Sequence, residues 1–375
     1  PRSRGSGGGS GDRGPLAHRA LLRLGEGRFW TEDGSDVRPA GAVLDEHDLA
    51  PITLRPKDGL ALINGTQQMS GYGAHVLHEA HRLVKIADLL SAMSLEALQG
   101  SIKPFDERVH DVRPHPGAQQ VAANVRTLLT DSEILESHRN CGKVQDPYCL
   151  RCVPQVHGAS RDALRHATDM VEREVNSVTD NPLVFEDGDV ISAGNFHGQP
   201  LALALDYAGV ALAELASISE RRIYLLLEGH DGLPELLMED TGLNSGYMMP
   251  QYTAAALVSE NKSLAHPASV DSIPTSLGQE DHVSMGSVGA VQLLDILENV
   301  ERVLAIELLT AAQALDYRRP LRPGRGVERA HETVRETIAH READYLLEDD
   351  IDQSLAFVRG EELLGPVADE LEPLG

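Results

Sequence analysis

Long stretches of helical periodicity constrain this 375-residue chain more than any other feature of its sequence. Between Val76 and Leu90, apolar residues recur at steps of three and four, which is the spacing of one helix face. The same spacing returns in a run from about Ser287 to Leu315. Both runs exceed the average helix of about 11–12 residues. The sequence therefore predicts a mainly α protein built as a bundle of long helices.

The segment from Leu201 to Ile218 is apolar on almost every side of a helix. Its only charges are Asp206 and Glu214. A helix that is apolar all round and still carries charges is typical of the middle of a bundle or an oligomer rather than of lipid. We therefore expect this helix to be an internal or interface element.

Strand signals are few and short. The stretch from Arg28 to Val37 surrounds Asp33-Gly34, a pair that favours a tight hairpin turn. A second extended piece is expected around 181–185, followed by a turn at 187–188. The prolines within 318–323 exclude a helix there and mark a break before a last helix, predicted from about Val327 to Leu346.

Charge and cysteine content limit the classes of function. The chain has 58 Asp and Glu against 33 Lys and Arg, for a formal charge of −25, which disfavours binding to a phosphate backbone. Neither an uninterrupted apolar stretch of membrane-spanning length nor a signal-peptide pattern is found, so no membrane is expected. Only three cysteines occur, which is typical of a reducing compartment and predicts a cytoplasmic protein.

Two clusters resemble metal or redox sites only superficially. Cys149 and Cys152 have the spacing of a redox pair or half a zinc site, but no second pair completes it, so two ordinary cysteines are the favoured interpretation. His75, His78 and His81 fall at steps of three, whereas two zinc-binding histidines on a helix need a step of four. We therefore predict no metal.

Polar islands beside the long helices are the best candidates for a site. They lie at 145–155, 176–200 and 259–285 and are crowded with amides, Arg, His and carboxylates. A buried polar site at helix ends has this composition. Ordinary loops and helix caps are the alternative.

A glycine-rich opening at 5–11 is similar to a flexible linker, yet it runs directly into a helix-like segment. It is no P-loop, since no Lys-Ser/Thr follows.

Five motifs in these islands resemble the aromatic amino-acid lyase family, in its histidine-specific branch. They are QDPYxLRC from residue 145, NSVTDNPL from 176, GNFHGQPLA from 194, SENKxLAHPASVDSIPTS from 259 and QEDHVSMG from 279. The resemblance covers the chain from about Gly5 to the C-terminal helices. It implies a long-helix bundle of the aspartase/fumarase-like type with a small N-terminal hairpin. The implied regions are 1–60, 61–320 and 321–375, which hold the cofactor loop, the central bundle and the C-terminal helices.

The family forms its electrophile, 4-methylidene-imidazol-5-one (MIO), from an Ala-Ser-Gly triplet. The aligned triplet here is Gly9-Ser10-Gly11, so the resemblance implies an MIO made from these residues, with no metal or nucleotide. The glycine amide attacks the carbonyl two residues back, and glycine permits the tight bend. Gly9 replaces the usual Ala, and further departures occur at Gly7, Arg13 and Gly14. Extra glycines make cyclisation more costly in entropy.

The resemblance also implies roles for single residues. Asn64 would hydrogen-bond near the MIO, Tyr148 would assist proton transfer at the amine, and Arg151 would hold the substrate carboxylate with its bidentate fork. The pocket would be lined by Gln145 and Phe196.

Glu280 would face the imidazole of an L-histidine substrate. The implied reaction is deamination to urocanate and ammonia after the substrate amine has added to the MIO alkene, with helix N-termini stabilising the negative charge.

Three alternatives stay open on sequence alone. Almost the same residues would serve a tyrosine or phenylalanine ammonia-lyase, or an MIO aminomutase. A non-catalytic subunit of the same fold would explain the altered triplet.

The family assembles as a homotetramer with active sites shared between subunits, and its members carry an additional N-terminal region with a mobile tyrosine loop. We therefore expect the sequence to be a fragment of a longer chain.

Overall fold

The computed structural model describes residues 23–30, 36–140, 142–371 and 374–375. The triplet Gly9-Ser10-Gly11, the predicted turn at Asp33-Gly34 and Cys141 lie outside the described residues.

Long helices dominate the described chain, and the prediction of a mainly α, long-helix fold is confirmed. The helices are α1 (Ala40–Glu46), α2 (Asp58–Ala61), α3 (Gln67–Ala97), α4 (Glu107–Asp111), α5 (Pro116–Leu128), α6 (Glu133–Ser137), α7 (Tyr148–Arg151), α8 (Val153–Val175), α9 (Gln199–Leu227), α10 (Met248–Leu264), α11 (Gly286–Asp316), α12 (Arg325–Arg335), α13 (Glu348–Arg359) and α14 (Leu364–Glu370). The first periodic run lies within α3, the second within α11, and the all-apolar segment within α9.

Two small antiparallel hairpins form where the Asp-Gly signals predicted turns. In the first, β1 (Arg28–Trp30) pairs with β2 (Val37–Pro39), with Phe29 opposite Arg38. In the second, β3 (Leu183–Val184) pairs with β4 (Val190–Ile191) around Gly188, whose φ of +91° suits glycine. The small N-terminal hairpin of the predicted fold is therefore present.

The predicted helix from Val327 to Leu346 is wrong at its C-terminal end, since α12 stops at Arg335. Tertiary hydrogen bonds explain the early stop. The Gln313 side chain accepts from the Arg341 backbone N–H at 3.2 Å and donates to the Arg341 carbonyl at 2.8 Å. The Arg341 guanidinium also pairs with Asp350 at 3.0 Å. These partners replace the intrahelical bonds, so the backbone here is satisfied without being helical.

The chain divides into two compact units, each made of three separate stretches. The first unit contains residues 1–77, 166–207 and 266–294. Its buried side chains include Met69, Val171 and Leu205. A Cβ placed on Gly73 would lie 3.0 Å from both Val171 and Leu205, so α3, α8 and α9 pack closely there. The predicted sequence boundaries at residues 60 and 320 remain a prediction.

The second unit contains residues 78–165, 208–265 and 295–375 and has a core with buried ion pairs. Arg222 and Glu307 are fully buried and form two hydrogen bonds, at 2.5 and 2.8 Å. His157 Nδ1 and Arg161 both contact the buried Asp88 carboxylate, at 2.8 and 2.6 Å. Hydrogen-bonded ion pairs of this kind offset the free-energy cost of removing these charges from water.

Helix α9 is long and apolar enough to cross a membrane by length and composition. However, 61% of its apolar window is buried inside the protein, as in a core helix. Asp206, within the same helix, accepts a hydrogen bond from the Ser269 backbone N–H at 2.8 Å. The structure thus gives this charge a protein partner.

Candidate active site

Three long helices begin in the first unit, around the side chain of Met69. Helix α3 contains Met69 in its first turn, and α9 and α11 begin at Gln199 and Gly286. A Cβ on Gly198 would lie 2.3 Å from Met69 Cε, and a Cβ on Gly286 would lie 2.2 Å from Met69 Sδ. A larger residue at either position would have to displace the end of the Met69 side chain. The three positively polarised helix ends together favour negative charge nearby.

His197 fixes the start of α9. Its Nδ1 accepts from the Gln199 backbone N–H at 3.3 Å, and its Nε2 lies 3.0 Å from the His282 carbonyl oxygen. Because Nδ1 accepts, the neutral ring carries its proton on Nε2 and donates it to that carbonyl. The two imidazoles also stack at 5.7 Å. His197 thus ties two of the polar islands together.

The predicted residues of the first unit are placed as follows. Asn64 is half-buried in the turn between α2 and α3, with its backbone N–H bonded to the Leu60 carbonyl at 2.9 Å. Phe196 is half-buried in the loop before α9. Glu280 is half-buried, its backbone pairs with Thr275 in an isolated bridge, and its carboxylate accepts from the Thr275 hydroxyl. The bridge and the hydroxyl together fix the orientation of this carboxylate.

The predicted residues of the second unit lie around the short helix α7. Tyr148 is 70% exposed, and the Arg151 guanidinium lies 4.6 Å above the centre of its ring. Arg151 Nε donates to the Asp146 carbonyl at 2.9 Å. Asp146 is itself buried and accepts from the Ser101 backbone N–H at 2.7 Å.

Because Nε is already bonded to the Asp146 carbonyl, the outer edge of the Arg151 guanidinium, formed by its two Nη groups, is left to bind a ligand. Within the described part of the chain, its Nη groups make no hydrogen bond or ion pair to the protein. Gln145 is exposed and, with Asp146, lines a cleft of about 430 Å³ in the second unit. The structure thus brings Tyr148 and Arg151 together, and the roles assigned to the six site residues remain predictions.

Sequence reasoning missed some residues that shape the site. Met69 was not predicted to have a role, and His197 was noted only as part of a motif. A further contact joins Lys57, whose φ is +79°, to Asp180 in the NSVTDNPL motif. Glycines directly before or at helix starts, as at Gly198 and Gly286, are the signal that could have indicated a crowded junction.

Two clusters were considered above for metal or redox chemistry, namely the pair Cys149 and Cys152 and the histidines of α3. Cys149 and Cys152 are both free thiols, and burial raises the pKa of Cys149, which disfavours a reactive thiolate. In residues 23–30, 36–140, 142–371 and 374–375, no group of three His, Cys, Asp or Glu side chains is arranged to hold a metal ion.

The chain belongs to the aromatic amino acid lyase family, whose sequence model matches residues 2–336. It is therefore a carbon–nitrogen lyase. It is 53% identical over 367 residues to the histidine ammonia-lyase of Gloeobacter violaceus, covering 97% of this chain and 71% of that protein. It is 52% identical to the histidine ammonia-lyase of Sorangium cellulosum, covering 99% and 74%.

Solved structures show the same fold. Histidine ammonia-lyase from Trypanosoma cruzi matches with a TM-score of 0.89 and 44% identity, over 98% of this chain and 70% of that one. Tyrosine aminomutase from Streptomyces globisporus matches with a TM-score of 0.89 and 37% identity, over 97% and 73%.

Proposed function

We propose that this protein is a histidine ammonia-lyase, which removes ammonia from L-histidine without oxidation and releases urocanate. Identity of 50% or more to several histidine ammonia-lyases over nearly the whole chain supports the proposal. It would make the protein the first enzyme of histidine degradation.

The single structural observation that carries the choice of substrate is the Glu280 carboxylate. It is oriented by the Thr275 hydroxyl and half-buried, and each oxygen of a carboxylate can accept more than one hydrogen bond. An imidazole N–H is a suitable donor for such an oxygen, and a charge-assisted hydrogen bond of this kind is stronger than a neutral one. A phenyl ring could not make it.

The residues available fit an MIO group. Gly9-Ser10-Gly11, outside the described residues, supplies the serine and the glycine amide that cyclisation needs. In the first unit, the three helix N-termini around Met69 polarise their surroundings positively, which suits a group that gathers negative charge. When formed, the MIO supplies an electron-poor alkene for the substrate amine.

The other residues bind and orient the substrate. Arg151 pairs with the substrate carboxylate through its Nη edge, since its Nε is held by the Asp146 carbonyl. The Tyr148 phenol, next to that guanidinium, exchanges a proton with the amine. Asn64 orients the substrate by hydrogen bonding, and Gln145 and Phe196 line the pocket.

A homotetramer is part of the proposal. An exposed apolar stripe on α9 supports it, formed by Leu203, Tyr207 and Val210 at helical spacing, each 44–56% exposed. Covering such a stripe with another copy would remove apolar surface from water. A cytoplasmic location and the lack of a nucleic-acid or membrane partner stay predictions from composition.

The test is product analysis on the native protein. Incubation with L-histidine should give equimolar urocanate and ammonia, whereas L-tyrosine and L-phenylalanine should be poor substrates. Ser10→Ala should abolish urocanate formation while gel filtration shows unchanged assembly, because the triplet then lacks its hydroxyl. Urocanate production retained by the variant would contradict the MIO assignment.

An aminomutase is the second candidate, favoured by the equal TM-score of the tyrosine aminomutase. It would isomerise the amino acid and release no net ammonia. A β-amino acid as main product would therefore replace the first proposal with this one.

A further inference from the structure

A cavity of about 360 Å³ in the second unit is lined by basic side chains of α3. His78, His81, Arg82 and Lys85 form one wall, and α14 provides an opposite, mainly apolar wall with Glu361 at its edge. The volume is within the range of about 300–1,000 Å³ that is usual for small-molecule sites. None of these residues belongs to the proposed lyase site.

The four basic side chains share one helix face, because 78, 81, 82 and 85 are steps of three and four. Like charges at such spacing repel each other and destabilise a helix slightly. The chain as a whole has a charge of −25 and only five lysines. Two permanently charged cations, Arg82 and Lys85, in one cavity therefore run against the global charge balance.

Two of these groups retain unused donors. Arg82 pairs with Glu79 and donates to the Arg359 carbonyl, but its buried Nε has no hydrogen-bond partner within the described part of the chain. In the same part of the chain, the Lys85 ammonium makes no hydrogen bond or ion pair to the protein. An anion bound in the cavity would give the Lys85 ammonium an acceptor, and such a charge-assisted hydrogen bond is stronger than a neutral one.

Burial lowers the pKa of His81, and the nearby cations Arg161, Lys85 and Arg165 lower it further. Of these cations, Arg161 is paired with Asp88 and Arg165 with Asp162. The acidic groups nearby are mostly committed, since Glu79 pairs with Arg82 and Asp88 with Arg161. Glu361 is the acidic side chain that lines the cavity.

We propose that this cavity binds a phosphate group carried by a small molecule, with Lys85 and Arg82 as its main contacts. Arginine and lysine are the usual partners of phosphate oxygens, and the cavity has room beyond the phosphate for an attached body. The apolar wall of α14 packs against that body.

Calorimetric titration of the full native protein tests the proposal, with inorganic phosphate, AMP and adenosine as probes at low ionic strength. Both phosphate-bearing probes should bind saturably, and adenosine should not. Lys85→Gln should weaken both by about tenfold or more, the scale of one lost charge-assisted bond. Lys103→Gln removes the same charge outside this cavity and should leave the affinities unchanged.

A thermal melt of each variant checks that it is folded. Unfolding is not expected for Lys85→Gln, because the Lys85 ammonium makes no hydrogen bond or ion pair with the residues that the structure describes. Absence of saturable binding by both phosphate-bearing probes would overturn the proposal. So would equal binding of AMP and adenosine, or unchanged affinities in Lys85→Gln. The outcome does not depend on lyase activity.

Discussion

Single side chains in this protein owe their properties to partners that are distant in sequence. Arg151 illustrates this, because the Asp146 carbonyl holds its Nε and so decides which edge of the guanidinium can face a substrate. The motif around it identified the residue, but a motif cannot show which nitrogen is already engaged. Likewise, the tautomer of His197 follows from its two backbone partners and was not predictable from sequence.

Arg151→Lys should raise the KM for L-histidine about tenfold or more, with a smaller effect on kcat. A lysine supplies a point charge and loses the planar two-point contact, and hydrogen bonds to charged groups contribute about 1.5–3 kcal/mol each. Steady-state kinetics of urocanate formation measure the effect. Arg329→Lys, at a partly exposed position, is the control. An unchanged KM in Arg151→Lys would exclude the role of Arg151 in binding the substrate carboxylate.

Glu96 makes stability depend on pH. Burial raises its pKa to about 8, against the lowering effects of the Ser132 hydroxyl and the Gly324 backbone N–H. The pKa of Glu96 in the folded state exceeds its value in the unfolded state. Its contribution to the free energy of unfolding is therefore fully present below about pH 4.5 and is lost as pH rises through about 8. At high pH the folded protein must hold a buried carboxylate.

Glu96→Gln should therefore gain stability relative to the native protein as pH rises from 5 to 9, by an amount on the order of a few kcal/mol. The glutamine stays neutral and keeps an oxygen that accepts from Gly324. Urea unfolding at pH 5, 7 and 9 measures the difference. The exposed Glu342→Gln should show no such trend, and a pH-independent difference for Glu96→Gln would argue against the raised pKa.

At the scale of elements, periodicity located the long helices and Asp-Gly turns located both hairpins. Local sequence could not show where α12 ends, because Gln313 and Asp350 compete for Arg341 from outside the segment. It also could not show that three helix starts meet at Met69. Such features depend on packing between elements, which no single segment encodes.

The crossing of α5 and α8 gives an element-scale prediction. A Cβ on Gly158 would lie 2.4 Å from the Ala118 backbone nitrogen, and backbone cannot move aside as a flexible side chain can. Helix propensity alone predicts that Gly158→Ala stabilises by about 1 kcal/mol. The clash should reverse the sign and cost about 1–3 kcal/mol or more.

Gly71→Ala is the matched control in α3, since no atom of the described residues lies within 4 Å of its added Cβ. It should stabilise by about 0.5–1 kcal/mol. Chemical denaturation of both variants measures the two changes in the free energy of unfolding. Stabilisation by Gly158→Ala would show that the two helices are further apart than described.

At the scale of the whole molecule, the family and the fold could be predicted because five specific motifs occur in order. The chemistry at Gly9-Ser10-Gly11 could not, because cyclisation depends on how the surrounding protein compresses that segment. The assembly could be suggested only from an apolar helix, and the exposed stripe of Leu203, Tyr207 and Val210 now gives that suggestion a defined surface.

Of the five points where the chain passes from one compact unit to the other, four fall inside helices. Residues 77/78, 165/166, 207/208 and 294/295 lie within α3, α8, α9 and α11, respectively. A gene segment for either unit would have to start or stop in the middle of four helices, leaving their hydrogen-bond ladders cut open. The two units therefore cannot be inherited, exchanged or fused as modules. We therefore expect insertions to be tolerated in loops rather than inside these four helices.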